Sequence, residues 1–276
     1  MIPGPVLFAR FAFPPNRLGY CGPADSGAVG DYAEAGVCDR GLVELAAGFS
    51  GAWPYLRLIA AASRIGDPLD ARVVGAYWIG GRPLERVRPA LLAAHLEDRF
   101  RARAGRHWTD LAALAMAGGR PHHNFHVFGV YPWVGLLRAG FEGEPLRVLD
   151  RCRIRWGRVT AVDGATATVR SRALEWNGIG LALGGPRTER VRQGPGVRAL
   201  PGDAVALHWD WICHRLGPRG LARLRHYTAA QLAVVNAAPR PAPILDGAAR
   251  HAGAGGRPAA RTGRSALPEG RASGVR

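Results

Sequence analysis

The stretch Arg151-Cys-Arg-Ile-Arg-Trp-Gly-Arg-Val-Thr-Ala-Val-Asp163-Gly164 decides the fold. From Arg153 to Val162 it alternates, with Ile154, Trp156, Arg158 and Thr160 on one face, the period of a half-buried strand. Asp163-Gly164 closes it with a hairpin turn, because glycine accepts the positive φ such turns need. Ala165 to Ser171 reads as the returning strand. Leu181 to Leu183 and Thr188 to Val191 bracket Gly184-Gly185-Pro186, read as another turn, and Pro201-Gly202-Asp203 introduces a strand from Ala204 to Trp209. Five or six short strands in about sixty residues are the pattern of a small barrel. Gly220 to Val235 follows as an amphipathic helix, with Leu221, Leu224, Leu232 and Val235 along one stripe.

Upstream, the period is helical. Pro89 to Arg103 carries Leu91, Leu92, Leu96 and Phe100 at helical spacing, with Glu97, Asp98, Arg99 and Arg101 for the wet face. Trp108 to Met116 and Tyr131 to Leu137 read as further helices, and Asp67-Pro68 as an N-cap followed by a first-turn proline. Phe8 to Pro23, with Pro14, Pro15, Gly19, Gly22 and Pro23, reads as a turn-rich entry. The period changes near Glu142-Gly143-Glu144-Pro145, after which β-type runs are expected. The expected fold class is therefore α+β, with an N-terminal helical domain followed by a small OB-like β-barrel with a C-terminal helix. The expected divisions are 1–143 for the helical domain, 144–237 for the barrel and its helix, and 238–276 for a disordered tail rich in Arg, Gly, Pro and Ala.

The chain has 276 residues and a formal net charge of +16. It contains no lysine, so its 37 basic residues are all arginine. That count by itself fits a GC-rich coding sequence. The charge is spread without a dense basic block interleaved with aromatics, which argues against nucleic acid as the main partner. No run of about 18 apolar residues offers a membrane span, and the N-terminus lacks the pattern of a signal peptide. The four cysteines, at 21, 38, 152 and 213, form no C-x-x-C pair, which excludes a zinc ribbon or thioredoxin-type motif. A cytoplasmic protein with free thiols is expected.

The order of elements after Arg151 resembles a known family. Arg151-Cys152 and its glycine-containing strand lead into the Asp163-Gly164 hairpin and Ala165-Thr-Ala-Thr-Val169. Arg187-Thr-Glu-Arg-Val191 and Pro201-Gly-Asp-Ala-Val-Ala-Leu-His208 follow. Together with the helix after it, this segment of about 150–237 resembles the HypC/HupF-type [NiFe]-hydrogenase maturation chaperones. The resemblance implies that Cys152 and His208 hold a metal, iron carrying cyanide and carbon monoxide. It implies an accessory protein rather than an enzyme, whose partners are the hydrogenase large subunit and other maturation proteins. The family's cysteine stands at the N-terminus of the mature chain, whereas Cys152 is internal, so no α-amine lies beside it here. The N-terminal part, with Leu7-Phe-Ala-Arg-Phe11 and Pro14-Pro-Asn-Arg-Leu-Gly-Tyr-Cys-Gly-Pro23, resembles an uncharacterised actinobacterial family.

The residues themselves leave alternatives open. A thiolate and an imidazole suit soft or low-spin iron, and Arg151 and Arg153 flank Cys152 where they would favour the thiolate. The competing reading makes Cys152 a buried thiol and His208 a core histidine. Asp210 is placed to orient an imidazole, and Cys213 and His214 are further ligand candidates, or simply the base of the barrel. His122, His123 and His126 cluster within five residues, as in a metal or proton-handling site, although no acid stands beside them. Cys21, in a Gly-rich loop, paired with one of these histidines would make a Cys/His-dependent enzyme of unassigned substrate. An RNA-binding barrel is the remaining alternative. No catalytic residue is assigned.

Overall fold

The computed structural model describes residues 2–104 and 108–238. The expected tail from 238 onward lies, beyond Ala238, outside the described residues. The class is α+β: helices first, then a five-stranded barrel and a closing helix.

The helices are α1 Gly4–Arg17, α2 Ser26–Ala35, α3 Arg40–Ala47, α4 Trp53–Ser63, α5 Ala71–Trp78 and α6 Arg82–Glu85. They continue as α7 Pro89–Ala104, α8 Trp108–Met116, the single turn α9 His123–Phe125, α10 Trp133–Arg138 and α11 Glu144–Cys152. A π-helix, His126–Val130, joins α9 to α10. Next come β1 Arg155–Asp163, β2 Thr166–Trp176, β3 Leu181–Gln193, β4 Ala204–His208, β5 Trp211–Arg215 and α12 Pro218–Ala237. None of the helices among the described residues is long and apolar enough to cross a membrane.

The strands close in the order β1-β2-β3-β5-β4. Neighbours are antiparallel except β3 and β5, which run parallel at Arg192 and Trp211. The alternation read in β1 holds: Arg155, Gly157 and Val159 turn inward and Trp156, Arg158 and Thr160 outward. Inside the barrel Val159, Val169, Val191, Val205, Leu207 and Ile212 form their own small core. A larger core runs through the helices and across one side of the barrel, where Ala206, Trp209 and Cys213 join Phe8, Phe11 and Trp78.

Four expectations are corrected. Phe8 to Pro23 is not a turn-rich entry in its first half but the end of α1, with Pro14 and Pro15 inside the helix. The missing N–H groups are tolerated because α1 is a central element that buries Phe8 and Phe11 in the larger core. Asp67-Pro68 forms a turn, Asp67 accepting from Leu69 N, and the cap of α5 is Asp70, which accepts from Arg72 N. Residues 144–152 form α11 rather than β structure; Pro145 sits in its first turn, and Val148, Leu149 and Cys152 face inward. Gly184-Gly185-Pro186 does not turn: β3 runs straight through it. The β2 register shifts between Arg172 and Leu174 opposite this stretch, and Arg172 caps the Gly184 and Leu183 carbonyls. The Glu175 side chain lies across Gly184, in the space a Cβ would take.

Candidate metal centre

Cys152 ends α11 and His208 ends β4. Far apart in sequence, they are stitched together by backbone and by a buried charge. Trp209 N donates to the Arg151 carbonyl (2.7 Å), and the Arg155 guanidinium donates to the Trp209 carbonyl (2.6 Å). Arg153 and Arg155 are almost wholly buried, at 1% and 0% exposure, so each must be paired. Arg153 bonds Asp150 (2.9 Å) and Arg155 bonds Glu189 (3.0 Å), with Arg187 reaching both acids. Burial raises the affinity of both carboxyls for a proton, but the arginines outweigh it and hold Asp150 and Glu189 below the ordinary carboxylate range. Trp209 adopts a left-handed φ of 50°, unusual for a bulky residue. Its ring is held by stacking on Tyr20, with centroids 4.2 Å apart.

The third member is His123. One ligand atom each from His123, Cys152 and His208 lie within 4.8 Å of one another, and all three side chains are buried. Asn124 sets the position of His123. Its amide oxygen accepts from Ile154 N (2.7 Å), while its nitrogen donates to the Ile154 carbonyl (3.0 Å) and to Thr228 Oγ1 (2.9 Å). This clamps α9 to the backbone two residues past Cys152. His123 Nε2 then lies 2.9 Å from the Cys152 carbonyl and 4.0 Å from Cys152 Sγ.

The tautomers follow from the partners. His208 Nδ1 lies 2.7 Å from the Phe11 carbonyl. A carbonyl only accepts, so Nδ1 carries the proton and Nε2 keeps its lone pair. In an α-helix that carbonyl would take the N–H four residues on, which is Pro15, and proline has none. The proline in α1 thus frees the acceptor that orients His208. His208 Nε2 is buried with no hydrogen-bond partner among the described residues, an arrangement that suits a ligand. His123 Nδ1 lies 3.3 Å from Tyr77 Oη, a hydroxyl able to serve either tautomer.

These groups face a cavity of about 50 Å³ that Cys21, His126 and Trp209 also line. That is room for an ion with a small ligand. An outer cleft of about 540 Å³ shares Tyr20, Cys21, Gly51, His126 and Tyr131 with it, which makes this the side of approach. The loop bearing Cys21 is held by Asn16 of α1, whose amide donates to the Cys21 and Pro23 carbonyls. Burial sets the proton balance. It pushes His123 down to about 4 and His208 well below the usual imidazole range, the latter also through its neighbour His123. It drives the Cys152 thiol upward and the Cys21 thiol up to about 12. The imidazoles are therefore neutral, His123 with its Nε2 proton on the Cys152 carbonyl, while the thiols need a cation before they lose their protons.

The profile of the family of unknown function DUF6390 matches residues 1–242. The chain belongs to that family. The match spans the helices and the barrel together, so DUF6390 comprises both halves of the candidate centre: α1, α9 and α11 as well as β4. No curated protein and no solved structure matches the chain.

Cys152, His208 and His123 thus meet, with Cys21 and His126 on the same cavity; His126 Nδ1 is held by Tyr55 Oη at 3.1 Å. His122 turns away, taking the Asn124 N–H and stacking on Tyr227. Cys213 is buried beside the Trp211 carbonyl, and His214 lies against the Phe11 ring; neither lines the cavity. Asp210 does not orient the imidazole; it pairs with Arg151 at the surface, and the orienting group is the Phe11 carbonyl. Nor do Arg151 and Arg153 lower the Cys152 thiol, because Glu189, Asp210 and Asp150 take up their charge and burial dominates. Asn124, Phe11 with Pro15, and Trp209 were not expected as parts of the site; a polar Asn inside the His122–His126 run was the one available signal.

Proposed function

We propose that this DUF6390 protein is a cytoplasmic accessory factor that holds a metal fragment for [NiFe]-hydrogenase maturation or assembly. The observation that carries the metal reading is the buried His123–Cys152–His208 cluster, whose ligand atoms lie within 4.8 Å of one another and whose side chains line one cavity. One thiolate and two imidazoles form a soft set suited to iron, and a fragment carrying cyanide or carbon monoxide would find mostly apolar walls. The hydrogenase assignment, and the large subunit and other maturation proteins as partners, rest on the resemblance of residues 150–237 to the HypC/HupF-type chaperones. The residues divide the work. His208, its proton fixed on Nδ1 by Phe11, presents Nε2. To hold a metal at Nε2, His123 would carry its proton on Nδ1, towards Tyr77, in place of the bond to the Cys152 carbonyl. Cys152 would bind as the thiolate, its proton released to solvent. All the surrounding histidines are held neutral by burial, which favours ligation over acid–base turnover.

The full-length protein isolated anaerobically is expected to contain iron and to show infrared bands of bound cyanide or carbon monoxide. Cys152→Ala and His208→Ala should each remove both, and deletion of the protein should block hydrogenase maturation. Unchanged iron and unchanged hydrogenase activity in both variants would refute the proposal.

A further inference from the structure

A wide concavity among the described residues lies away from the candidate centre. It is a cleft of about 910 Å³ between the end of α4, α5, α6 and the first turns of α12. Arg64, Arg72, Arg82, Arg86 and Arg223 stand around it, and its walls include no aspartate or glutamate. All five are exposed.

An arginine-rich surface is the rule in this chain, so number alone says little. What sets this cleft apart is that five exposed arginines ring a concavity of about 910 Å³ with no acid in its walls. Elsewhere some exposed arginines meet carboxylates, as Arg40 with Glu44, Arg101 with Glu97, Arg147 with Glu144, Arg198 with Glu34 and Arg215 with Asp203, while others, such as Arg17, Arg57 and Arg170, are scattered without an ion pair among the described residues. In the cleft only Arg72 has such a partner, Asp70, at 2.7 Å. Glu85, at the end of α6, is turned to Tyr227 Oη (2.6 Å) and Arg120 (3.4 Å). Arg64, Arg82, Arg86 and Arg223 have no ion pair among the described residues. Four unpaired guanidinium groups facing one concavity repel one another and focus a positive potential in it. An anion relieves that repulsion.

We infer that this cleft binds a small, multiply charged, phosphate-bearing molecule of about nucleotide size. Guanidinium forks match phosphate oxygens in pairs, which a cluster of point charges does not. The volume falls in the range of small-molecule sites. The floor offers Ile65, Ala76 and Ile79 to an organic body, so the cleft suits a phosphate ester better than a bare ion. The wall is fixed by packing: Gly80, at φ +108°, lies against the Tyr227 ring, and Arg223 reaches over Gly81. The inference is independent of the metal centre.

The test is calorimetric titration of the full-length protein with ATP, pyrophosphate, inorganic phosphate and a deca-glutamate peptide at low salt. ATP is expected to bind saturably at one site and more tightly than pyrophosphate or phosphate. Arg82→Ala with Arg223→Ala should weaken it by about tenfold or more. Arg82→Lys with Arg223→Lys should recover only part of the loss, because charge is kept but the fork is not. The melting temperature should not change, since these side chains make no ion pairs. Arg40→Ala with Arg198→Ala, which removes equal charge elsewhere, should have little effect. The inference is overturned if no phosphate compound binds saturably, if both double-alanine variants weaken binding equally, or if deca-glutamate binds more tightly than ATP.

Discussion

At the scale of single residues, the site is ordered by side chains that are not themselves ligand candidates. Asn124 is the clearest case. It is fully buried and satisfies the N–H and the carbonyl of Ile154 together with the Thr228 hydroxyl. Truncation leaves three buried polar groups without a partner, and each such group costs free energy that a lost surface bond would not. Asn124→Ala is therefore expected to destabilise the apo protein by about 2–4 kcal/mol, read from urea unfolding. Asn124→Asp keeps the acceptor for Ile154 N but loses both donated bonds and adds a buried charge, so it should be no better tolerated. A loss within about 0.5 kcal/mol for Asn124→Ala, the range of ordinary surface changes, would mean that the segment is held by packing alone. The same clamp explains why His123 was not singled out from its neighbours in sequence. Nothing in Pro121-His-His-Asn-Phe-His126 distinguishes the ring that meets Cys152 from the ones that meet Tyr227 and Tyr55.

At the scale of elements, α1 joins sequence, fold and site most directly. Pro15 removes the N–H that would bond the Phe11 carbonyl, and His208 Nδ1 occupies the acceptor instead. Pro15→Ala restores a competing donor. The helix should be no less stable, since an interior proline is replaced by the best helix former. The cost falls on His208, whose proton is then free to exchange between its nitrogens. In the apo protein, nitrogen chemical shifts of the imidazole should change from the Nδ1–H form towards a mixture, and iron retention should fall by about tenfold. An unchanged His208 tautomer in the variant would show that Phe11 does not set it. The element also shows where sequence reading stops. Strands β1, β2 and β4 were legible because alternation and the Asp-Gly and Pro-Gly-Asp turns are local signals. Helix α1 was not, since its prolines argue for a loop until the burial of Phe8 and Phe11 is counted. Strand β3 runs through Gly184-Gly185-Pro186, where local composition signals a turn, because a glycine pair and a proline inside a strand carry the same sequence pattern as a turn. Cys152 and His208 were picked out by resemblance; their contact depends on Arg155 and Trp209, which no spacing encodes.

At the scale of the whole molecule, a chain with net charge +16 keeps its imidazoles uncharged inside. His122, His123, His126 and His208 are buried, and burial is the first cause that depresses each of them: His122 to about 3, His123 to about 4, the other two well below the ordinary value. In the unfolded chain these groups titrate near 6.5. Below that pH the unfolded state takes up protons that the folded state refuses, so stability is full above about 6.5 and falls with acid through the window down to the folded values. Each group contributes a slope of about 1.4 kcal/mol per pH unit where the unfolded form is protonated and the folded form is not. Asp150 and Glu189 act at lower pH. Held below the ordinary range by arginine, they contribute stability that is present above the unfolded carboxylate range, near 4, and lost beneath it. The histidine window therefore opens first on acidification. The growing positive charge adds in the same direction. The urea midpoint of the apo protein is expected to be level from pH 8 to about 6.5 and to drop steeply from there to pH 5. His126→Phe, which removes one of the four groups, should lower the midpoint at neutral pH because Tyr55 Oη loses its partner, yet it should make the drop shallower by about one proton's worth. A level profile down to pH 5 would mean that the interior admits protonated imidazole, and the neutral ligand set proposed for the centre would fall with it.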